Sequence, residues 1–141
     1  MSGLNRGAGM RVLVVEDAAS VRQRMVAIFG GAEGVDTVAE AASGEAALEM
    51  IEHFRPDLVT LDLMLPGISG LDVLDGIREK DQKPLVVVLT NYPYPAFRKK
   101  CLAMGASHFF AKTVDPSQIL EIVRGELTPG SEDQAEGKMA S

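Results

Sequence analysis

Five residues whose types could do joint chemistry each follow a short apolar run. Asp62 ends Leu58-Val59-Thr60-Leu61 and opens into Leu63-Met64-Leu65-Pro66-Gly67. Glu16 and Asp17 close the run Arg11–Val15, Thr90 closes the fourth run and Lys112 the fifth. Three carboxylates at one sheet edge would repel strongly at low effective dielectric, so the set calls for a cation. Oxygen ligands without His or Cys suit a hard ion, and Mg2+ fits best, since it takes one or two carboxylates, water and phosphate. One further ligand would come from the backbone carbonyl of Met64. Lys112 can pair with Asp62 and then with a phosphoryl oxygen as a movable point charge. The Thr90 hydroxyl can donate to another. Together these groups would stabilise an aspartyl phosphate and the charge on a phosphoryl group in transit. Singly, a strand-end Asp reads as a turn former and a strand-end Lys as a solvated charge. The combination carries the reading.

The elements that must position these groups alternate along the chain. The apolar runs Arg11–Val15, Leu58–Asp62 and Leu85–Thr90, the less apolar Val35–Ala41, and Ser107–Ala111 read as strands. Between and after them, helical periodicity predicts helices over Ala18–Gly30, Ser43–Phe54, Ser69–Lys80, Ala96–Gly105 and Ser117–Leu127. Ser43 is a good N-cap, and Val21, Met25, Ile28 and Phe29 are expected to face inward. Strands alternating with helices predict an α/β, doubly wound parallel sheet with right-handed crossovers and helices on both faces. In such a sheet the loops at the carboxyl ends of the strands gather into one crevice.

The chain has 141 residues, 46% hydrophobic and 24% charged, which fits one soluble domain. Its net charge of −6 argues against a general affinity for nucleic acid. The single cysteine, Cys101, excludes an internal disulfide and reads as a small core residue. His108 lacks a second His or Cys to make it a metal ligand, and His53 reads as solvated. With no long apolar stretch and no signal peptide, no membrane association is expected and the location is taken as cytoplasmic. The domain is expected over 10–127, with a flexible arm over 1–9 and a disordered acidic tail over 128–141.

These residues resemble the receiver domain of two-component response regulators, the chemotaxis-regulator-like type, over about residues 10–126. The most specific stretches are Val12-Leu13-Val14-Val15-Glu16-Asp17, then Asp62 through Gly70, then Gly105-Ala106 leading to Lys112. The resemblance implies a flavodoxin-like sheet of order 2-1-3-4-5. It implies Asp62 as phosphoacceptor, Glu16 and Asp17 as the acidic metal pair, and Thr90 as the switch hydroxyl. Lys112 becomes the family's lysine, and Phe109 falls at its aromatic switch position. Phosphoryl groups would come from a sensor histidine kinase or a histidine phosphotransfer protein. Output would pass through the face formed by helix four, strand five and helix five. Beyond self-phosphorylation and self-dephosphorylation at Asp62, no enzymatic activity is expected, and a stand-alone regulator or phosphorelay intermediate fits best.

Two positions depart from the pattern, and two more bear on the chemistry. Thr113 stands where proline usually follows the lysine, and Asn91 stands where a very small residue usually follows the switch hydroxyl. Met64 and Tyr92 flank the expected path of an attacking water and would shield an acylphosphate. The unusual loop Asn91-Tyr92-Pro93-Tyr94-Pro95, stiffened by two prolines, reads as a partner-binding rim. One alternative is a phosphorylation-independent interaction module with the same fold. A magnesium phosphatase with an aspartyl nucleophile is disfavoured, because Met64 sits where a second catalytic acid is needed.

Overall fold

Five short runs, three of them rich in Val and Leu, pair into a single parallel sheet in the computed structural model, which describes residues 9–127. The strands are β1 (Met10–Val15), β2 (Val35–Ala41), β3 (Leu58–Asp62), β4 (Leu85–Thr90) and β5 (His108–Ala111). Their order is β2-β1-β3-β4-β5, as expected for the flavodoxin-like arrangement. The helices are α1 (Ala19–Gly30), α2 (Gly44–Phe54), α3 (Gly70–Arg78), α4 (Pro95–Ala103) and α5 (Pro116–Leu127). The tail expected over 128–141 lies outside the described residues, as does the arm except for Gly9.

Both faces of the sheet are covered. On one, Leu13, Val15, Val59, Leu61, Val86 and Val88 pack against Ala47 and Ile51 of α2, Val73, Leu74 and Ile77 of α3, and Cys101 of α4. On the other, Val12, Val14, Leu58, Val87 and Leu89 meet Met25 and Phe29 of α1 and Ile119, Leu120 and Val123 of α5. Strands buried on both sides cannot show polar alternation, which is why β1, β3 and β4 read as continuous apolar runs. Each fully buried Leu, Val or Phe is worth about 1.5–3 kcal/mol.

Helix ends follow local chemistry. Ser43 caps α2 by accepting from the Ala46 N–H, and Ser69 with Asp72 forms a reciprocal capping box on α3. These caps place the first helical residues at Gly44 and Gly70, one position inside the expected starts. The third helix ends at Arg78 instead of Lys80, and the fourth begins at Pro95 and stops at Ala103. Proline suits a first helical turn because its missing N–H would have no partner there. Val21, expected inward, is 38% exposed, whereas Met25 and Phe29 bury the face of α1.

Candidate functional site

Register brings the acids together. Val15 of β1 pairs with Leu61 of β3, so Glu16 and Asp62, the next residues, leave the sheet side by side. Thr90 ends β4 opposite Ala111 of β5, which puts Lys112 just past the same edge. The Lys112 backbone N–H donates to the Thr90 carbonyl at 2.9 Å, extending that pairing by one residue.

Side-chain contacts close the group. Lys112 Nζ donates to Asp62 Oδ2 at 2.9 Å and lies 2.8 Å from Glu16 Oε1, so one ammonium joins two buried carboxylates. The other oxygen of Asp62 accepts from the Met64 N–H at 3.0 Å, and the other oxygen of Glu16 from the Ala18 N–H at 3.1 Å. Asp17 is exposed, yet one oxygen each from Glu16, Asp17 and Asp62 lie within 4.8 Å of one another. Thr90 is fully buried, and its hydroxyl oxygen accepts from the Tyr92 N–H at 2.9 Å.

The electrostatics show a surplus of negative charge. Burial raises the Glu16 carboxyl above its ordinary value, against the hydrogen bonds from Lys112 and Ala18, and the Asp62 charge adds to the rise. Burial works to lower the Lys112 ammonium, but hydrogen bonds and charge from Glu16 and Asp62 outweigh it and hold the value up. Three carboxylates facing one ammonium leave a net negative, all-oxygen pocket, a donor set that fits a hard divalent cation.

The turn after Asp62 is shaped by two glycines. A Cβ on Gly70 would lie 2.6 Å from the Asp62 carbonyl oxygen and 2.7 Å from Leu63 Cα, so α3 can start this close to β3 only with glycine there. Gly67 takes φ +74, a left-handed conformation that favours glycine, and faces the Glu45 carboxylate. Glu45 also accepts from the Ile68 N–H at 3.3 Å, tying this turn to α2.

The structure thus gathers Glu16, Asp17, Asp62, Thr90 and Lys112 at one edge. Phe109 is 9% exposed and belongs to the core layer beneath α2, α3 and α4. Met64 and Tyr92 stand at the rim, 62% and 47% exposed. The described peptide bonds, including Lys112–Thr113, are trans. Arg22 also reaches the site, a residue for which the strand-end pattern gave no role. Its guanidinium donates to the carbonyls of Glu16 at 2.9 Å and Asp17 at 3.3 Å and pairs with Glu40 at 2.8 Å. An arginine one helical turn beyond an acid pair was the available signal. His108 is likewise paired, 3.0 Å from Glu126 of α5.

Residues 12–124 match the response regulator receiver domain family. The chain belongs to the response-regulator receiver family. This receiver is 32% identical over 113 residues to the chemotaxis protein CheY of Thermotoga maritima, covering 80% of the chain and 93% of that protein. It is 35% identical over 124 residues to a protein-glutamate methylesterase/protein-glutamine glutaminase of Koribacter versatilis, covering 86% of the chain but 34% of that longer relative. Among solved structures, the CheX–CheY–BeF3–Mg2+ complex of Borrelia burgdorferi superposes with a TM-score of 0.77 at 29% identity, covering 89% of the receiver and 95% of that chain. Receiver domains are signalling phosphoacceptors that interact with histidine kinases or phosphotransfer proteins and bind Mg2+ at an acidic pocket. In this chain Glu16, Asp17 and Asp62 form an acidic group at the carboxyl edge of the sheet. Among the described residues, no helix is long and apolar enough to cross a membrane.

Proposed function

We propose that Asp62 is the phosphoacceptor of a regulator that signals through protein contacts. The observation that carries this reading is the ammonium of Lys112, held 2.9 Å from Asp62 and 2.8 Å from Glu16 inside an acidic pocket. Phosphoryl transfer needs little covalent chemistry from the protein and much positioning and charge neutralisation. A carboxylate oxygen of Asp62 attacks the phosphorus of a phosphohistidine. The P–N bond breaks, the imidazole leaves, and an aspartyl phosphate remains. Mg2+, held by Glu16, Asp17, Asp62 and the Met64 carbonyl, would supply positive charge to the phosphoryl oxygens.

The chain's own residues do the rest. Lys112 exchanges one of its two carboxylate partners for a phosphoryl oxygen, and the Met64 N–H remains directed at the acceptor side chain. Thr90 gives up its bond from the Tyr92 N–H and turns its hydroxyl toward the new anion. Phe109, paired with Val88 in the strand that ends at Thr90, couples that movement to the face built by α4, β5 and α5, the proposed contact surface for a downstream protein. Regulation is then a shift between two packings.

The donor in this reading is a sensor histidine kinase or a histidine phosphotransfer protein. The match to CheY supports a phosphoacceptor role for the receiver domain over residues 10–127. The −6 charge supports a protein target over nucleic acid. Incubation with phosphoramidate and Mg2+, followed by intact-mass measurement, should add one phosphoryl group to the chain and none to Asp62→Asn. An unchanged mass with phosphoramidate and with every phosphohistidine donor tried would overturn the reading.

A further inference from the structure

We propose that the β4–α4 loop and the first turns of α4 form a docking strip for an acidic protein segment bearing aromatic or long aliphatic side chains. The proposal deepens the protein-contact output above by naming the partner's chemistry, and it rests on that reading only for its biological role.

Residues 91–100 are exposed without interruption, and Cys101 alone is buried among the residues of α4. Three large rings sit in that stretch, with Tyr92 47%, Tyr94 59% and Phe97 42% exposed. They touch in sequence: Tyr92 stacks on Tyr94 at 6.4 Å between centroids, and Tyr94 leans on Phe97 at 5.8 Å. Single exposed apolar residues are ordinary, whereas a contiguous aromatic group marks a contact surface. Tyr and Phe also supply much of the binding energy where they are buried at interfaces.

Charge identifies the partner. Directly after Phe97 come Arg98, Lys99 and Lys100, and α4 contains no acidic residue. Among the described residues none of the three forms an ion pair, whereas Lys112, Arg22 and Lys80 are all engaged. A local charge of three cations on a chain of net −6 is complementary to an acidic segment and repels a basic one. Aromatic and cationic groups also suit single-stranded nucleic acid. Three cations on one short helix, set in an acidic chain, do not make the continuous basic groove such ligands need. The chain's own segment Ser131-Glu132-Asp133-Gln134-Ala135-Glu136 supplies acid but no large apolar group.

Pro93 and Pro95 restrict the loop backbone, so less ordering is lost on binding. The Tyr92 N–H donates to the Thr90 hydroxyl at 2.9 Å, so the strip begins one hydrogen bond away from the acidic pocket.

The test uses the full, unmodified chain and a fluorescein-labelled peptide of alternating Glu and Asp with Leu and Phe, followed by anisotropy. Binding should weaken about tenfold or more in Arg98→Glu/Lys99→Glu/Lys100→Glu and in Tyr94→Ser/Phe97→Ser. All five side chains are exposed, so circular dichroism should show both variants folded. A peptide with Lys replacing the acids, and one with Ser replacing Leu and Phe, should bind about tenfold more weakly or worse. Equal binding by all three peptides, or indifference to both variants, would overturn the proposal. So would tighter binding of a single-stranded oligonucleotide. Self-association lost in the charge-reversal variant would make a second copy the occupant and overturn the commitment to an acidic segment. Peptide affinity that rises about tenfold on removing residues 128–141 would assign the strip to the chain's own tail instead. Because the binding assay uses the unphosphorylated chain with no phosphodonor present, failure of the strip is distinguishable from failure of phosphorylation at Asp62.

Discussion

Lys112 Nζ donates to Asp62 Oδ2 at 2.9 Å across fifty residues of chain, while also lying 2.8 Å from Glu16 Oε1. The two carboxylates are each 3% exposed, so this ammonium is the compensating charge that lets them stay buried.

That pairing sets a pH dependence. The native Lys112 is held above its ordinary value, so its stabilising contribution is fully present below about pH 10.4, the unfolded lysine value. It is lost as pH rises through the raised native value. Denaturant unfolding in metal-free buffer should show Lys112→Gln to be less stable than the parent at neutral pH. The gap should close toward strongly alkaline pH. A gap that does not change with alkaline titration would show that the stabilisation does not come from the charge.

Met64 and Tyr92 stand at the rim of the acidic pocket, 62% and 47% exposed. If they screen an aspartyl phosphate from water, Met64→Asn should shorten its half-life by about tenfold, or about 1.4 kcal/mol of barrier. Tyr92→Ala should act in the same direction. The decay of phosphorylated chain after donor removal, followed by intact mass, measures both.

Gly70 lies against the backbone that ends in Asp62, where a Cβ would come within 2.6 Å of a carbonyl oxygen. Backbone cannot swing aside as a side-chain tip can. Gly70→Ala should therefore cost about 1–3 kcal/mol in urea unfolding and slow phosphorylation at Asp62. Gly30→Ala, with open space around it, should do neither.

Cys101 is fully buried in α4, and burial pushes its thiol above the ordinary cysteine value. Ellman's reagent should leave it unmodified in the native chain and titrate one thiol after unfolding. Rapid modification under native conditions would mean that α4 opens readily, as its sparse buried contacts permit.

The core was legible along the sequence because strands covered on both faces leave continuous apolar runs, as in Leu58–Leu61 and Leu85–Leu89. Element edges were less so. The capping box at Ser69 and the proline at the start of α4 each shifted a boundary by one residue. Val21 fits the apolar spacing of its helix but points outward, since the sheet is covered there by Met25 and Phe29.

By itself the sequence determined the alternation of strands and helices, and the acids, hydroxyl and lysine at the strand ends. Both are local properties, written in periodicity and in residue type. Only the tertiary structure decided which groups meet. Parallel register sets Glu16 beside Asp62, Lys112 spans both, and Arg22 reaches back to hold the acid pair by its carbonyls. It also decided that Tyr92, Tyr94 and Phe97 form one exposed ring cluster and that, among the described residues, Arg98, Lys99 and Lys100 form no ion pair. Such pairings depend on contacts between residues distant in sequence, and on how little of α4 the sheet covers, neither of which a local pattern encodes.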